Sequence, residues 1–180
     1  GDIYLIRPDG TELRRLTESN DISRDGNLVW SPDGKQLAYS AYRNRNIEIN
    51  ILNVDDALQG SMTSHQLTDS LPPVRNLVTS WSHDGSRLAF SSDRDGNTEI
   101  YLMDPDGSNL VRLTHNPASD SGPDWSADGK FITFSSDRDG NVEIYVMDGA
   151  YSLQSVDDAN VRRLTNNPGN DAGPVWRPER

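Results

Sequence analysis

Trp125-Ser126-Ala127-Asp128-Gly129-Lys130, then Phe134-Ser135-Ser136-Asp137-Arg138-Asp139-Gly140-Asn141-Val142-Glu143-Ile144-Tyr145, then Arg163-Leu164-Thr165, is the stretch that decides the fold. The same phrases come earlier as Trp81-Ser82-His83-Asp84-Gly85-Ser86, Phe90-Ser91-Ser92-Asp93-Arg94-Asp95-Gly96-Asn97-Thr98-Glu99-Ile100-Tyr101 and Arg112-Leu113-Thr114. A looser copy opens on Trp30-Ser31-Pro32-Asp33-Gly34-Lys35 and closes on Leu67-Thr68. Ile3-Tyr4 with Leu16-Thr17 precedes it, and Trp176 follows the last full copy. The four tryptophans are spaced by 51, 44 and 51 residues. A period in this range marks a propeller, solenoid or array.

Each unit divides into four short strand candidates. Strand A carries the Trp and runs into Asp-Gly, which supplies the positive φ of a tight hairpin and returns the chain into strand B. Strand B is Gln36–Ser40, Arg87–Ser91 and Phe131–Ser135. After a second polar turn comes strand C, Glu48–Ile51, Glu99–Leu102 and Glu143–Val146, and strand D ends on Leu-Thr. Alternation places Glu99 and Tyr101 on one face of C, with Ile100 and Leu102 on the other. Apolar residues on both faces suit a sheet packed between two neighbouring sheets, as in radially stacked blades. The expected fold is therefore an all-β propeller of four-stranded antiparallel blades. It forms one domain over residues 1–180, with units of about 1–17, 18–68, 69–114 and 115–165 and a closing strand at 166–180.

The combined phrase resembles the TolB-type, WD-like β-propeller repeat, and the resemblance spans essentially the whole chain. It implies a propeller used for binding, often periplasmic or secreted, and sometimes a gate on a peptidase. The first copy departs from the pattern: Arg43-Asn44-Arg45-Asn46 replaces the Asp-rich turn, and Asn50 stands where the other copies have Tyr.

Counting gives four A, three B, four C and four D strands. The missing B belongs immediately before Gly1, so the expected account is the C-terminal part of a larger propeller. The rival is a homo-oligomer that pairs open blade edges across a symmetric interface.

Seventeen Lys and Arg against 28 Asp and Glu give a net charge of −11. That sign argues against nucleic acid or an anionic membrane surface as the main partner. No apolar run approaches the roughly 18 residues of a membrane span. Cysteine is absent, which permits the cytosol, the periplasm or the outside.

Alternating strands bring the B–C turns and the D–A loops to one rim, the expected binding surface for a protein, peptide or glycan. Its candidates are Asp93, Arg94, Asp95, Asn97, Asp137, Arg138, Asp139, Asn141, His115, Asp120 and Asp171. Asp93, Asp95, Asp137 and Asp139 offer hard oxygen ligands that suit Ca²⁺. The competing reading is a glycine-containing hairpin whose Asp and Asn cap local amides, and the interposed arginines favour it. No other cofactor is expected. Arg14, Arg15, Arg112, Arg162 and Arg163 are expected on strand D as charges guarding an exposed edge, and the four tryptophans in the core. The longer C–D hairpins carry Val54-Asp55-Asp56-Ala57 and Val156-Asp157-Asp158-Ala159, expected as surface insertions. No G-x-S-x-G, H-E-x-x-H or Cys nucleophile is present, and His65, His83 and His115 occupy different repeat positions. The expected function is non-catalytic binding, with an accessory gate of a hydrolase encoded elsewhere as the alternative.

Overall fold

A computed structural model of the chain describes residues 2–18, 27–43, 45–149 and 160–177. Three four-stranded antiparallel sheets follow the repeat. Blade one contains β3 (Leu28–Trp30), β4 (Gln36–Arg43), β5 (Asn46–Asn53) and β6 (Ser64–Gln66). Blade two contains β7 (Asn76–Trp81), β8 (Leu88–Ser92), β9 (Glu99–Met103) and β10 (Val111–Arg112). Blade three contains β11 (Asp120–Trp125), β12 (Phe131–Ser136), β13 (Glu143–Asp148) and β14 (Arg162–Arg163). Ahead of them β1 (Tyr4–Leu5) pairs with β2 (Arg14–Arg15) as the C and D strands of a further unit.

The A–B hairpins form because the Trp-Ser-x-Asp-Gly phrase satisfies its own backbone. Gly129 takes φ +69°. Ser126 Oγ donates to Asp128 Oδ1 at 2.6 Å and accepts from Phe131 N at 2.9 Å. Ser31 and Asp33 repeat the arrangement in blade one.

Period-two alternation then sorts each blade's apolar residues between its two neighbours. Ala38, Ile49 and Ile51 of blade one meet Val78, Trp81, Leu88, Phe90, Tyr101 and Met103 of blade two. From the other side of blade two, Ala89, Ile100, Leu102 and Leu113 meet Trp125, Ile132, Phe134, Tyr145 and Met147 of blade three. Burying each large side chain contributes about 1.5–3 kcal/mol, so these interfaces dominate the stability of the stack.

Polar stitches recur at the same junctions. Ser40 Oγ accepts from Val78 N, Ser91 Oγ from Gly122 N and Ser135 Oγ from Gly173 N, each at 3.0 Å. Trp81 Nε1 donates to Val29 O at 3.2 Å, and Trp176 Nε1 to Asp124 O at 3.1 Å. Trp125 breaks the series. Its indole N–H is buried without an acceptor among the described residues, and β7, the A strand of the preceding blade, shifts register between Val78 and Ser80 as β11 does between Ser121 and Asp124.

Two expectations need correction. Trp81 and Trp125 are core residues, but Trp30 is 45% exposed, and Trp176 is half-buried, stacked on Phe131 at 6.3 Å. The reason lies in the stack: a blade Trp is covered by the blade before it, and Trp30 has no preceding A strand among the described residues. Residues 166–177 run beside blade three without joining a ladder, held by Asp171 N to Val142 O at 2.8 Å and Trp176 N to Asp124 Oδ2 at 2.7 Å. The insertion after β5 forms a short helix, α1 (Val54–Leu58), N-capped by Asn53 Oδ1, with Val54 and Ala57 buried against Leu37, Tyr39 and Leu52. The expected insertion at 156–159 lies outside the described residues.

Candidate binding rim

The B–C turns and D–A loops share one rim, as alternation requires. Asn97 Nδ2 donates to Asn116 O at 3.0 Å and to Ala118 O at 2.5 Å, and Ser119 N donates to Asp137 Oδ1 at 2.8 Å. Turn and loop are thus tied together within a blade and between adjacent blades.

Beneath this surface sits a clasp built around the first residue of strand C. Glu99 is fully buried. It accepts from Thr114 Oγ1 at 2.5 Å, Arg112 Nη2 at 2.6 Å and Asn97 Nδ2 at 2.8 Å. Thr114 Oγ1 in turn accepts from Ile100 N at 2.9 Å. Blade three repeats this with Glu143, Thr165, Arg163 and Asn141, and adds Asn167 N at 3.1 Å. Hydrogen bonds to the charged form favour it. The Thr165 hydroxyl, helped by Asn141, Arg163 and Asn167 N, outweighs desolvation and holds the Glu143 carboxyl down at about 2.

The turn arginines fill a second layer. Arg94 lies 5.3 Å from the Phe90 ring centroid and 4.9 Å from that of Tyr101, and donates to Ser92 Oγ and Asn76 Oδ1. Arg138 stacks likewise on Phe134 and Tyr145 and pairs with Asp120 at 2.9 Å. Asn76 and Asp120 belong to strand A, so each arginine ties its turn, with the acids that flank it, back to the first strand of its own blade.

Those acids have other contacts. Asp93 Oδ1 accepts from Arg75 N at 2.7 Å. Asp95 Oδ2 accepts from the Tyr101 hydroxyl at 2.6 Å and Arg112 Nη1 at 3.4 Å. Asp139 repeats this with Tyr145 at 2.7 Å and Arg163 at 3.3 Å. Burial, reinforced by Asp139, pushes the Tyr145 hydroxyl up to about 12, and Tyr101 moves the same way beside Asp95. The four carboxylates proposed as calcium ligands thus face different donors rather than one centre. Among the described residues no three His, Asp or Glu side chains form a metal-holding group.

The expected rim divides by accessibility. Asp95, Asp137, Asp139 and His115 are exposed, while Asp93, Arg94, Asn97, Arg138, Asn141 and Asp171 are half-buried. Asp120 is fully buried and held by Arg138 and Asn116, so it braces the rim from within instead of contacting a ligand. The strand-D arginines also divide. Arg14, Arg15 and Arg162 are exposed, Arg15 while pairing with Asp2 at 2.8 Å, whereas Arg112 and Arg163 are half-buried and pair with buried glutamates. Sequence reasoning took Arg-Leu-Thr as an edge marker. The signal for the clasp was the joint recurrence of Asn-x-Glu with Arg-Leu-Thr.

A further feature had no signal in the repeat. The inner edges of the A segments surround a cavity of about 460 Å³ lined by Asn27–Val29, Thr79, Gly122–Asp124 and Gly173–Val175. Asp124 brings a carboxylate to it, with its pKa raised by burial against hydrogen bonds from the Trp176 and Trp125 amides.

Stacked four-stranded sheets with their A segments around a shared axis define a segment of a β-propeller. The family model of the TolB beta propeller domain matches residues 2–155, and the chain belongs to that family. An uncharacterized protein of Agrobacterium fabrum is 34% identical over 118 residues, covering 66% of this chain and 37% of that protein. The Tol-Pal system protein TolB of Desulfosudis oleivorans is 33% identical over 115 residues, covering 64% of this chain and 24% of that protein. The crystal structure of TolB from Acinetobacter baumannii superposes with a TM-score of 0.71 at 24% identity, covering 95% of this chain and 39% of that one. The chain thus corresponds to well under two thirds of these relatives. Among the described residues no helix is long and apolar enough to cross a membrane.

Proposed function

We propose that this chain is a non-catalytic binding module that holds a protein or peptide through the rim of B–C turns and D–A loops, in the periplasm or outside the cell. The observation that carries the reading is the clasp. Buried Glu99 and Glu143 anchor the turn asparagines, and those asparagines hold the D–A loops by their carbonyls. Exposed polar loops fixed on a rigid scaffold lose little entropy on binding. Membership of the TolB family, with a relative named for the Tol-Pal system, supports a protein partner. The histidines lie on separate segments, and the buried glutamates are occupied by internal donors, which supports a role without catalysis.

The test is photocrosslinking of the protein in its own cells, with a photoreactive residue at His115 on this rim or at Asp106 in the opposite C–D hairpin. A discrete crosslinked partner from position 115, and none from 106, is the expected result. Partner capture only from position 106 would sink the rim assignment.

A further inference from the structure

One corner of the rim departs from the repeat in two ways at once. In blades two and three the B–C turn reads Asp-Arg-Asp-Gly, with two acids and one base, net −1. In blade one Tyr42-Arg43-Asn44-Arg45 has two bases and no acid, net +2. The adjoining D–A loop is also longer. Seven residues, 69–75, separate Thr68 from Asn76, whereas five separate Thr114 from Asp120 and five separate Thr165 from Asp171. The enlarged loop carries Leu71, 89% exposed, together with exposed Arg75.

The structure brings both departures together. Asn46, directly after the turn, donates through Nδ2 to Ser70 O and accepts from Val74 N at 2.9 Å. Ile47 bridges to Arg75. Turn and loop therefore form one surface bearing Tyr42 (53% exposed), Arg45, Leu71 and Arg75. Arg45 also sits in a costly conformation. It adopts φ +70°, in the position where Gly96 and Gly140 adopt +112° and +104°. A non-glycine residue is strained in this region, and such strain tends to persist where the side chain has a use. Asp69 and half-buried Asp93 border the patch, so with Arg43, Arg45 and Arg75 its five charged side chains carry a net +1, and Arg43 and Arg75 already have partners within the chain.

We infer that this corner, Tyr42, Arg45, Leu71 and Arg75 with Arg43 beside them, docks an acidic segment of a partner protein that also carries apolar side chains. The inference rests on the rim reading above and specifies the partner chemistry there. Charge complementarity selects the acid: the patch is basic on a chain of net charge −11, whose overall field repels a polyanion such as nucleic acid and leaves a short acidic segment to be attracted locally. Leu71 and Tyr42 supply the apolar contact that a purely electrostatic site lacks. Aromatic and arginine side chains are the usual anchors of such surfaces.

The test uses the full chain and a fluorescent peptide of alternating Glu and Leu, followed by anisotropy and by amide chemical shifts. Expected is saturable binding that weakens with salt, with shifts at 42–47 and 69–75. Arg45→Gly restores the repeat glycine and should raise the melting temperature while weakening binding roughly tenfold, and Leu71→Ser should weaken it comparably. A peptide with Ser in place of Leu should bind more weakly than the Glu-Leu peptide. Wild-type affinity in Arg45→Gly, shifts centred on the Asp95 or Asp139 turns, or equal binding of single-stranded DNA would each overturn the inference while leaving the rim reading intact. Failure of the peptide to bind at all overturns it too, and the crosslinking comparison of positions 115 and 106 then judges the rim reading separately.

Discussion

Blade three and blade one are built from the same phrase and show what each part of it does. In blade three Trp125 is covered on one side by blade two, Glu143 is clasped by Arg163, and Gly140 absorbs the left-handed turn. In blade one Trp30 is half in solvent, Gln66 stands in place of the clasp arginine, and Arg45 replaces the turn glycine. Yet Glu48 remains buried in blade one. It is held by Thr68, Asn46, the Ser70 amide and Asn76. Asn76 comes from the neighbouring blade, so a donor reaching across the interface substitutes for the lost strand-D arginine. The carboxylate is what the blade keeps, and the identity of its donors can vary. A buried ionised group needs several hydrogen bonds, whichever strand supplies them.

The largest expected contrast is between the two tryptophans. Trp125→Ala should destabilise by roughly 3–5 kcal/mol, the range for emptying a large aromatic site. Trp30→Ala should cost less than about 1 kcal/mol, as for a surface substitution. Chemical denaturation of both variants measures this, and equal losses would mean that Trp30 is covered in solution.

Acid should sharpen the comparison next. The Glu143 pKa is depressed in the folded chain, so its contribution is complete above the unfolded-state value of about 4.3 and is lost as pH falls through the folded value near 2. Thermal melts of the wild type should decline through that window, and Glu143→Gln should flatten the decline. An unchanged slope in the variant would show that other carboxylates govern acid unfolding.

The smallest effect has the opposite sign. Arg45→Gly relieves a left-handed non-glycine residue and should stabilise the chain by about 1 kcal/mol. Gly140→Arg, the converse change in blade three, should destabilise by a similar amount. A loss of stability in Arg45→Gly would mean that the Arg45 side chain makes a stabilising contact that outweighs its backbone strain.

Much of this was legible in the residues. The Trp-Ser-x-Asp-Gly and Glu-Ile-Tyr phrases fixed the hairpins and the alternation of strand C, because local turn chemistry and period two depend only on neighbours in sequence. The shared rim followed from strand direction alone. Asp120 was misread as a surface acid because its role depends on Arg138, 18 residues away across a hairpin. Arg112 and Arg163 were misread as edge charges because the glutamates they reach belong to strand C, again distant in sequence.

By itself, then, the sequence determined the blade: its four strands, its turns and its two apolar faces, each encoded in a local repeat. Only the tertiary structure decided which copies of a repeated residue do which work. Trp125 is buried and Trp30 exposed, Asp120 is internal and Asp137 external, and two departures more than twenty residues apart form one basic corner. Identical local phrases acquire different environments because burial and partnership are properties of the neighbouring blade, and a repeat carries no record of which neighbour it will have.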